Sequence, residues 1–249
     1  MITGPLFLSI AATVVVSLIS LIGIFFLAMN ESKLKKILLF LVSFAAGSLL
    51  SASFFDLLPE SIGLSNLAFE YTLIGIIAFL FIEEFLHWHH YHNHIHTKDK
   101  ICPLTVMNLF GDGIHNFCDG MIIAASFVVS VPLGVITTLS VIFHEIPQEI
   151  GDFSILIFSG LKVKRAIFYN FISALAAVAG AVVAILLSTI IPHIIAFLIP
   201  FAAGGFIYIA VADLFPELRK EKKIVNSAAQ LLSLIFGVLL IWGLSTLLA

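Results

Sequence analysis

Long apolar runs fill most of the chain, and short polar stretches separate them. A helix needs about 20 mostly apolar residues to cross the hydrocarbon of a bilayer. Applied along the chain, this length predicts eight membrane-spanning helices. They cover residues 5–29, 37–58, 71–87, 103–128, 134–158, 166–190, 198–216 and 226–248. The segment 190–200 contains Pro192 and Pro200, and we expect it to be a short interfacial element or an extension of a span.

The composition agrees with a membrane protein. Of the 249 residues, 61% are apolar and 11% are charged, and the mean hydropathy is +1.16. A soluble domain is about 45–50% apolar and about 25% charged. The first apolar run lacks a basic segment before it, so it predicts a retained span rather than a signal peptide. We therefore expect an all-α integral membrane protein. The net charge of −3 gives no indication of a nucleic-acid partner.

The basic residues indicate how the chain crosses the bilayer. All 12 lysines and arginines fall in the loops that follow odd-numbered spans, at 33–36, 98–100, 162–165 and 219–223. Loops rich in Lys and Arg stay on the cytoplasmic side. Both termini are then extracytoplasmic. The sequence therefore predicts one multi-pass transmembrane domain, residues 1–249, in the cell membrane.

Two spans contain related sequences. Residues 45–60 read AAGSLLSASFFDLLPE and residues 202–217 read AAGGFIYIAVADLFPE, with Asp56 and Asp213 at the same offset. By the orientation above, these spans cross in opposite directions. Inverted repeats are typical of secondary transporters, whose sites lie near the midplane. HNFCDG in span four and HEIPQE in span five align in the same way, which predicts a 3+2+3 arrangement of the spans.

Polar motifs interrupt spans four and five. Residues i and i+4 share one face of a helix, so His115 and Asp119 point the same way, as do His144 and Gln148. The two spans also hold five carboxylates, Asp112, Asp119, Glu145, Glu149 and Asp152.

Buried carboxylates need compensation. A charged group at the bilayer centre costs a few kcal/mol or more, and no predicted span contains a Lys or Arg. Protons or a bound cation must therefore neutralise these groups. Imidazole and carboxylate together are typical ligands of divalent transition metals such as zinc, iron or manganese.

A histidine-rich segment follows span three. Residues 87–100 contain six of the nine histidines. Such tracts bind metals through interchangeable imidazoles, and the charge pattern predicts a cytoplasmic loop. The alternative is a polar, interfacial helix end anchored by Trp88 and Tyr91.

With these motifs, the sequence resembles the ZIP family of metal transporters over essentially its whole length. It is most similar to the subfamily with HNFxDG in the fourth span and HExPHEIGDF in the fifth, which here read HNFCDG and HEIPQEIGDF. FFDLLPE, EEFLHWHH and GGFIYIAVADLFPEL also resemble that subfamily. The resemblance implies eight helices, an inverted repeat, a homodimer, alternating access and movement of metal toward the cytosol. Zinc is the expected substrate, with iron, manganese and cadmium as others. The metal is transported and is not a cofactor.

The resemblance also implies the site. His115, Asp119, His144 and Gln148 would form the principal position, flanked by Asn116 and Glu145. The metal-binding residues that we predict are His115, Asn116, Asp119, His144, Glu145, Gln148 and Glu149.

Two positions depart from the family pattern. Gln148 stands where the subfamily usually has His, and an amide is a harder, weaker donor. Residues 173–181 of span six contain no acid where some relatives carry a bridging Glu, which argues against a tightly coupled two-metal centre.

Two other functions compete with transport. An intramembrane zinc metalloprotease would use HExxH, but HEIPQ places Gln148 at the second histidine. A metal sensor without transport would have no need of an inverted repeat.

Overall fold

The structure is a computed structural model that describes residues 3–26, 31–91, 103–221 and 223–248. Within these ranges all regular secondary structure is helical, and it forms eight helical rods that we number along the chain. The rods are α1 (Thr3–Ile19, Ser20–Ile22 and Gly23–Phe26), α2 (Glu31–Ser51, Ala52–Leu57 and Leu58–Leu64), α3 (Ala68–Tyr91), α4 (Pro103–Val129), α5 (Val131–Phe158), α6 (Val163–Ala174 and Ala176–Ile190), α7 (Ile194–Tyr208, Ile209–Leu214 and Phe215–Leu218) and α8 (Ile224–Leu248).

Five rods are long and apolar enough to cross a membrane. They contain the stretches Gly4–Ile22, Ile37–Leu64, Val163–Ile190, Ile194–Leu218 and Ile224–Leu248. The protein is therefore a multi-pass, all-helical membrane protein. The helices α4 and α5 are as long, with 27 and 28 residues, but their acidic residues and histidines lower their apolar character. A complete set of eight spans stays a prediction.

The predicted ends of the spans shift by a few residues. The segment 190–200 divides into a turn and the start of α7, which begins at Ile194. His193 precedes it in the left-handed region, with φ 62°. We expected either a short interfacial element or an extension of a span. The second half of the segment is an extension of the predicted span 198–216, because it belongs to α7. Of the histidine-rich segment 87–100, only the helical backbone to Tyr91 is described, so its predicted metal binding lies outside the described residues.

The two related sequences have the same local structure. Each helix widens into a π-helical stretch at the aligned position, Ala52–Leu57 in α2 and Ile209–Leu214 in α7. Each also meets its neighbour at an aligned glycine. A Cβ on Gly47 would stand 2.1 Å from the Leu234 carbonyl oxygen of α8, and one on Gly204 would stand 2.1 Å from the Thr72 carbonyl oxygen of α3. A larger residue at either glycine would push the paired helices apart.

A very short turn places α4 beside α5. Ser130 alone separates the two helices, in an extended conformation, and its hydroxyl oxygen accepts a bond from the Leu133 N–H at 3.3 Å. Such a cap satisfies a free donor in the first helical turn. Because the connection is one residue long, the helices run antiparallel and in contact. The buried acidic, amide and imidazole side chains of this helix pair are Asp112, Asn116, Asp119, His144, Glu145 and Glu149.

Candidate metal centre

Two histidines and two acids meet between α4 and α5. His115 and Asp119 come from α4, and His144 and Glu145 come from α5; one donor atom from each lies within 4.8 Å of the others. His144 Nε2 lies 3.1 Å from both Asp119 Oδ2 and His115 Nε2. His115 Nε2 lies 3.6 Å from Asp119 Oδ2 and 3.5 Å from Glu145 Oε1. We call these four residues the histidine cluster.

The backbone orients one of the imidazoles. His144 Nδ1 lies 3.1 Å from the Ser140 carbonyl oxygen, one turn earlier on α5. A carbonyl oxygen only accepts, so Nδ1 is the donor, and in the neutral ring Nε2 then carries a free lone pair. That lone pair faces the cluster. Metal-ligating histidines are commonly held in this way, with the second ring nitrogen bonded to a carbonyl or carboxylate.

The histidine cluster is buried and rich in unused acceptors. Asp119, His144 and Glu145 are 0%, 1% and 1% exposed, and the His115 side chain is 16% exposed. Both Asp119 oxygens and Glu145 Oε1 are buried without a hydrogen-bond partner. Buried polar atoms are normally paired. Unpaired carboxylate oxygens beside imidazole nitrogens form a donor set suited to zinc and similar divalent ions.

A second group of acids adjoins the first and shares Glu145 with it. Oxygens of Asp112, Glu145 and Glu149 lie within 4.8 Å of one another. We call these three residues the carboxylate cluster. Asn116 Nδ2 donates to Asp112 Oδ1 at 2.8 Å, and Asn170 Nδ2 of α6 donates to Glu149 Oε2.

The predicted residues do not all meet in one place. Glu145 joins both clusters, Glu149 belongs to the carboxylate cluster, and Asn116 bonds to Asp112. Gln148 lies half-buried on the wall of a cavity that His115 also lines. The structure therefore divides the predicted set between two adjoining clusters and the cavity wall.

Two residues in or beside the carboxylate cluster, Asp112 and Asn170, were absent from the predicted metal-binding residues. Asp112 lies one turn before Asn116 on the same helix, and that spacing is visible in the sequence. Asn170 comes from a different helix, α6, and no local pattern indicates its contact with Glu149.

A cavity of about 640 Å³ leads away from the histidine cluster. Its walls include His115, Gln148, Asp112 and Asp152 on α4 and α5, and Glu83, Tyr208, Asp213 and Glu217 on α3 and α7. Tyr208 donates a hydrogen bond to Glu83. Glu217 lies in the last turn of α7 and pairs with Lys220 just beyond it. The cavity therefore reaches the end of α7, where basic residues begin.

Comparison with known proteins shows which family this chain belongs to. The family model described as ZIP Zinc transporter matches residues 3–105 and 89–245. IAA-alanine resistance protein 1 of Arabidopsis thaliana is 42% identical over 147 residues, which are 58% of this chain and 31% of that protein. Zinc transporter zipt-7.1 of Caenorhabditis briggsae is 32% identical over 213 residues, 68% of this chain and 54% of the relative.

A human relative extends the comparison. Zinc transporter SLC39A7 of Homo sapiens is 40% identical over 141 residues, 54% of this chain and 30% of that protein. The matched regions thus span between 30% and 54% of these three relatives. The family model covers nearly the whole chain described above, and on that match the chain belongs to the ZIP zinc transporter family.

Proposed function

We propose that this protein carries divalent transition-metal cations across the cell membrane toward the cytosol, with zinc as the first candidate and iron, manganese and cadmium as others. The observation that carries the proposal is the histidine cluster. It combines two imidazoles with two carboxylates whose buried oxygens have no hydrogen-bond partner. Such a donor set suits zinc and related ions. Two curated relatives named zinc transporters support the choice of substrate.

The proposed roles follow from position. His115, Asp119, His144 and Glu145 hold the ion between α4 and α5. Gln148 lies beside them on the cavity wall. Asn116 and Glu149 bound the ion site on the side of the carboxylate cluster. The metal is the transported substrate in this proposal and is not a resident cofactor.

The direction of transport rests on charge and on the cavity. If the basic loops are cytoplasmic, then Lys220 and the end of α7 face the cytosol. The cavity runs from His115 to Glu217, so it would be the release route. Acidic residues on its wall favour a cation along this route. These residues include Glu83, Asp213 and Glu217.

The arrangement of the helices completes the proposal. We infer eight crossings in one transmembrane domain, in a 3+2+3 order, with both termini extracytoplasmic. The aligned π-helical stretches and glycine contacts of α2 and α7 support an inverted repeat. A homodimer and a metal-buffering role for residues 87–100 follow from the family resemblance and the histidine content.

The competing enzyme is less well supported. A zinc metalloprotease of the HExxH type binds its metal with two histidines one turn apart on one helix. Here the two histidines of the cluster come from α4 and α5, and Gln148 lies one turn after His144. A sensor without transport would not need a cavity that joins the site to one side.

Uptake into proteoliposomes tests the proposal. The full chain would be reconstituted with an internal fluorescent chelator and offered zinc, cadmium, manganese or iron, with and without a pH gradient. We expect saturable zinc uptake that His115→Ala nearly abolishes. Glu70→Gln, which removes an exposed carboxylate from α3, is the matched control and should transport normally. Uptake no faster than in protein-free vesicles, or full uptake by His115→Ala, would contradict the proposal.

A further inference from the structure

We propose that a pocket between α2, α7 and α8 binds a phospholipid whose headgroup carries both a phosphate and a primary ammonium, namely phosphatidylethanolamine. The pocket has a volume of about 470 Å³, and small-ligand sites typically measure about 300–1,000 Å³. Three apolar residues of α2, Leu38, Leu39 and Val42, line it together with Gln230 of α8. We call it the α2–α8 pocket.

The amide donor of Gln230 is buried in this pocket without a partner. The residue is 3% exposed, and its Nε2 has no hydrogen-bond partner among the residues that the structure describes. Buried donors are normally paired, because an unpaired donor loses its hydration without compensation. Since Gln230 lines the pocket, an acceptor bound there would satisfy Nε2. The ligand therefore brings an acceptor oxygen to this position.

The position of Gln230 along α8 corresponds to the level of lipid headgroups. The helix begins at Ile224, so Gln230 lies about 9 Å from its first residue. The polar region of a bilayer extends roughly 5–8 Å beyond the hydrocarbon on each side. Phe40 on α2 and Leu231 on α8, each next to a pocket residue in sequence, are 43% and 58% exposed, as expected for side chains that contact acyl chains. The pocket thus lies where a phospholipid presents its phosphate and ester oxygens.

Charged residues of the pocket fit a zwitterionic headgroup. Glu217 and Lys220 both line the pocket, and they form an exposed salt bridge with each other. A lipid phosphate would accept hydrogen bonds from Lys220 and Gln230, and a primary ammonium would donate to Glu217. Glu221 is a second acid in the lining, so the net charge disfavours an anionic lipid. The quaternary ammonium of phosphatidylcholine has no N–H to donate, which leaves phosphatidylethanolamine as the best match.

The α2–α8 pocket shares a wall with the cavity that leads from the histidine cluster. Leu38, Val42 and Glu217 line both. A headgroup ammonium at Glu217 would therefore compete with a metal ion for the same carboxylate. The lipid site itself is independent of transport, and only this consequence rests on the proposed function. The bound lipid would slow the release of an ion from the cavity.

Native mass spectrometry of the full chain tests the lipid site. The protein would be released from micelles that contain equal amounts of phosphatidylethanolamine, phosphatidylcholine and phosphatidylglycerol with the same acyl chains. We expect one phosphatidylethanolamine to stay bound in preference to the other two lipids. Gln230→Leu should weaken this binding by about tenfold, because a buried hydrogen bond to a charged acceptor is lost. Thr246→Leu, which replaces an exposed polar residue near the other end of α8, is the matched control and should bind the lipid normally.

The possible outcomes separate the lipid site from the proposed function. Equal retention of the three lipids, a preference for phosphatidylglycerol, or unchanged phosphatidylethanolamine binding by Gln230→Leu would overturn the site. If Gln230→Leu does not elute as a monodisperse protein, the lipid preference of the unmodified chain decides.

Zinc uptake into proteoliposomes tests the consequence for release. Uptake should be slower when phosphatidylethanolamine replaces phosphatidylcholine, and Gln230→Leu should remove the difference. Equal rates in the two lipids would overturn the competition at Glu217. If phosphatidylethanolamine is retained selectively but no zinc enters in either lipid, the lipid site stands and the transport proposal fails.

Discussion

The histidine cluster and the carboxylate cluster share Glu145 and differ in almost everything else. The first takes one imidazole and one carboxylate from each of α4 and α5, and the His144 ring is oriented by a backbone carbonyl. The second has only oxygens, and an amide from α6 holds one of its acids. Nitrogen donors favour tight, selective zinc binding, and oxygen donors favour hard ions and weaker zinc binding. The two clusters therefore offer different donors on either side of the shared Glu145.

Replacing Asp119 with Asn should separate the clusters most clearly. Asp119 Oδ2 lies near both imidazoles and has no hydrogen-bond partner. An amide of the same size removes the charge, so zinc affinity should fall by more than about tenfold. Glu149→Gln, at the carboxylate cluster, should lower zinc affinity less. Calorimetry with zinc measures both variants. Equal loss of zinc affinity in the two variants would mean that the two clusters act as one site.

Acidity should weaken metal binding between α4 and α5. Carboxylates and imidazoles coordinate a metal only when deprotonated, so protons compete with the ion. Affinity should therefore rise from mildly acidic to neutral pH, and binding should release protons. Calorimetry in buffers of different ionisation enthalpy counts the protons, and a count of zero would contradict the competition.

Replacing Gln148 with His should increase the difference between the clusters. Gln148 lies half-buried on the cavity wall beside His115, so an imidazole there would add a nitrogen donor. We expect the apparent half-saturation concentration for zinc to fall severalfold and that for Mn²⁺ to change little. Gln148→Asn, which keeps the amide on a shorter side chain, is the control. An unchanged or higher half-saturation for zinc would show that this residue does not face the ion.

The smallest effect is expected from Asn170→Ala. The substitution removes the amide that α6 offers to Glu149, and one hydrogen bond between membrane helices contributes about 1 kcal/mol. The free energy of unfolding should fall by about that amount, while zinc affinity should be retained. Asn170→Gln could restore part of the contact. A loss of zinc affinity as large as that of Asp119→Asn would place Asn170 at the histidine cluster.

Local patterns predicted much of this protein. Apolar runs indicated a multi-pass helical membrane protein, and the i, i+4 spacing placed His115 and Asp119 on one face, where the structure has them. The alignment of residues 45–60 with 202–217 predicted that the two segments have the same local structure. It did not predict their π-helical stretches, because the widening depends on how each helix packs against its neighbours.

The division of the site into two clusters depends on tertiary structure. Helical periodicity determines which face of α4 or α5 a residue occupies, and it is a property of each helix alone. It does not determine the relative shift and rotation of two helices. The relative shift and rotation follow from the one-residue turn at Ser130 and from the contacts of α6 with α4. The sequence by itself therefore determined the helices and the chemistry of their polar faces. Only packing decided that the His115 and His144 nitrogens meet, that Glu145 belongs to both clusters, and that Asn170 reaches Glu149.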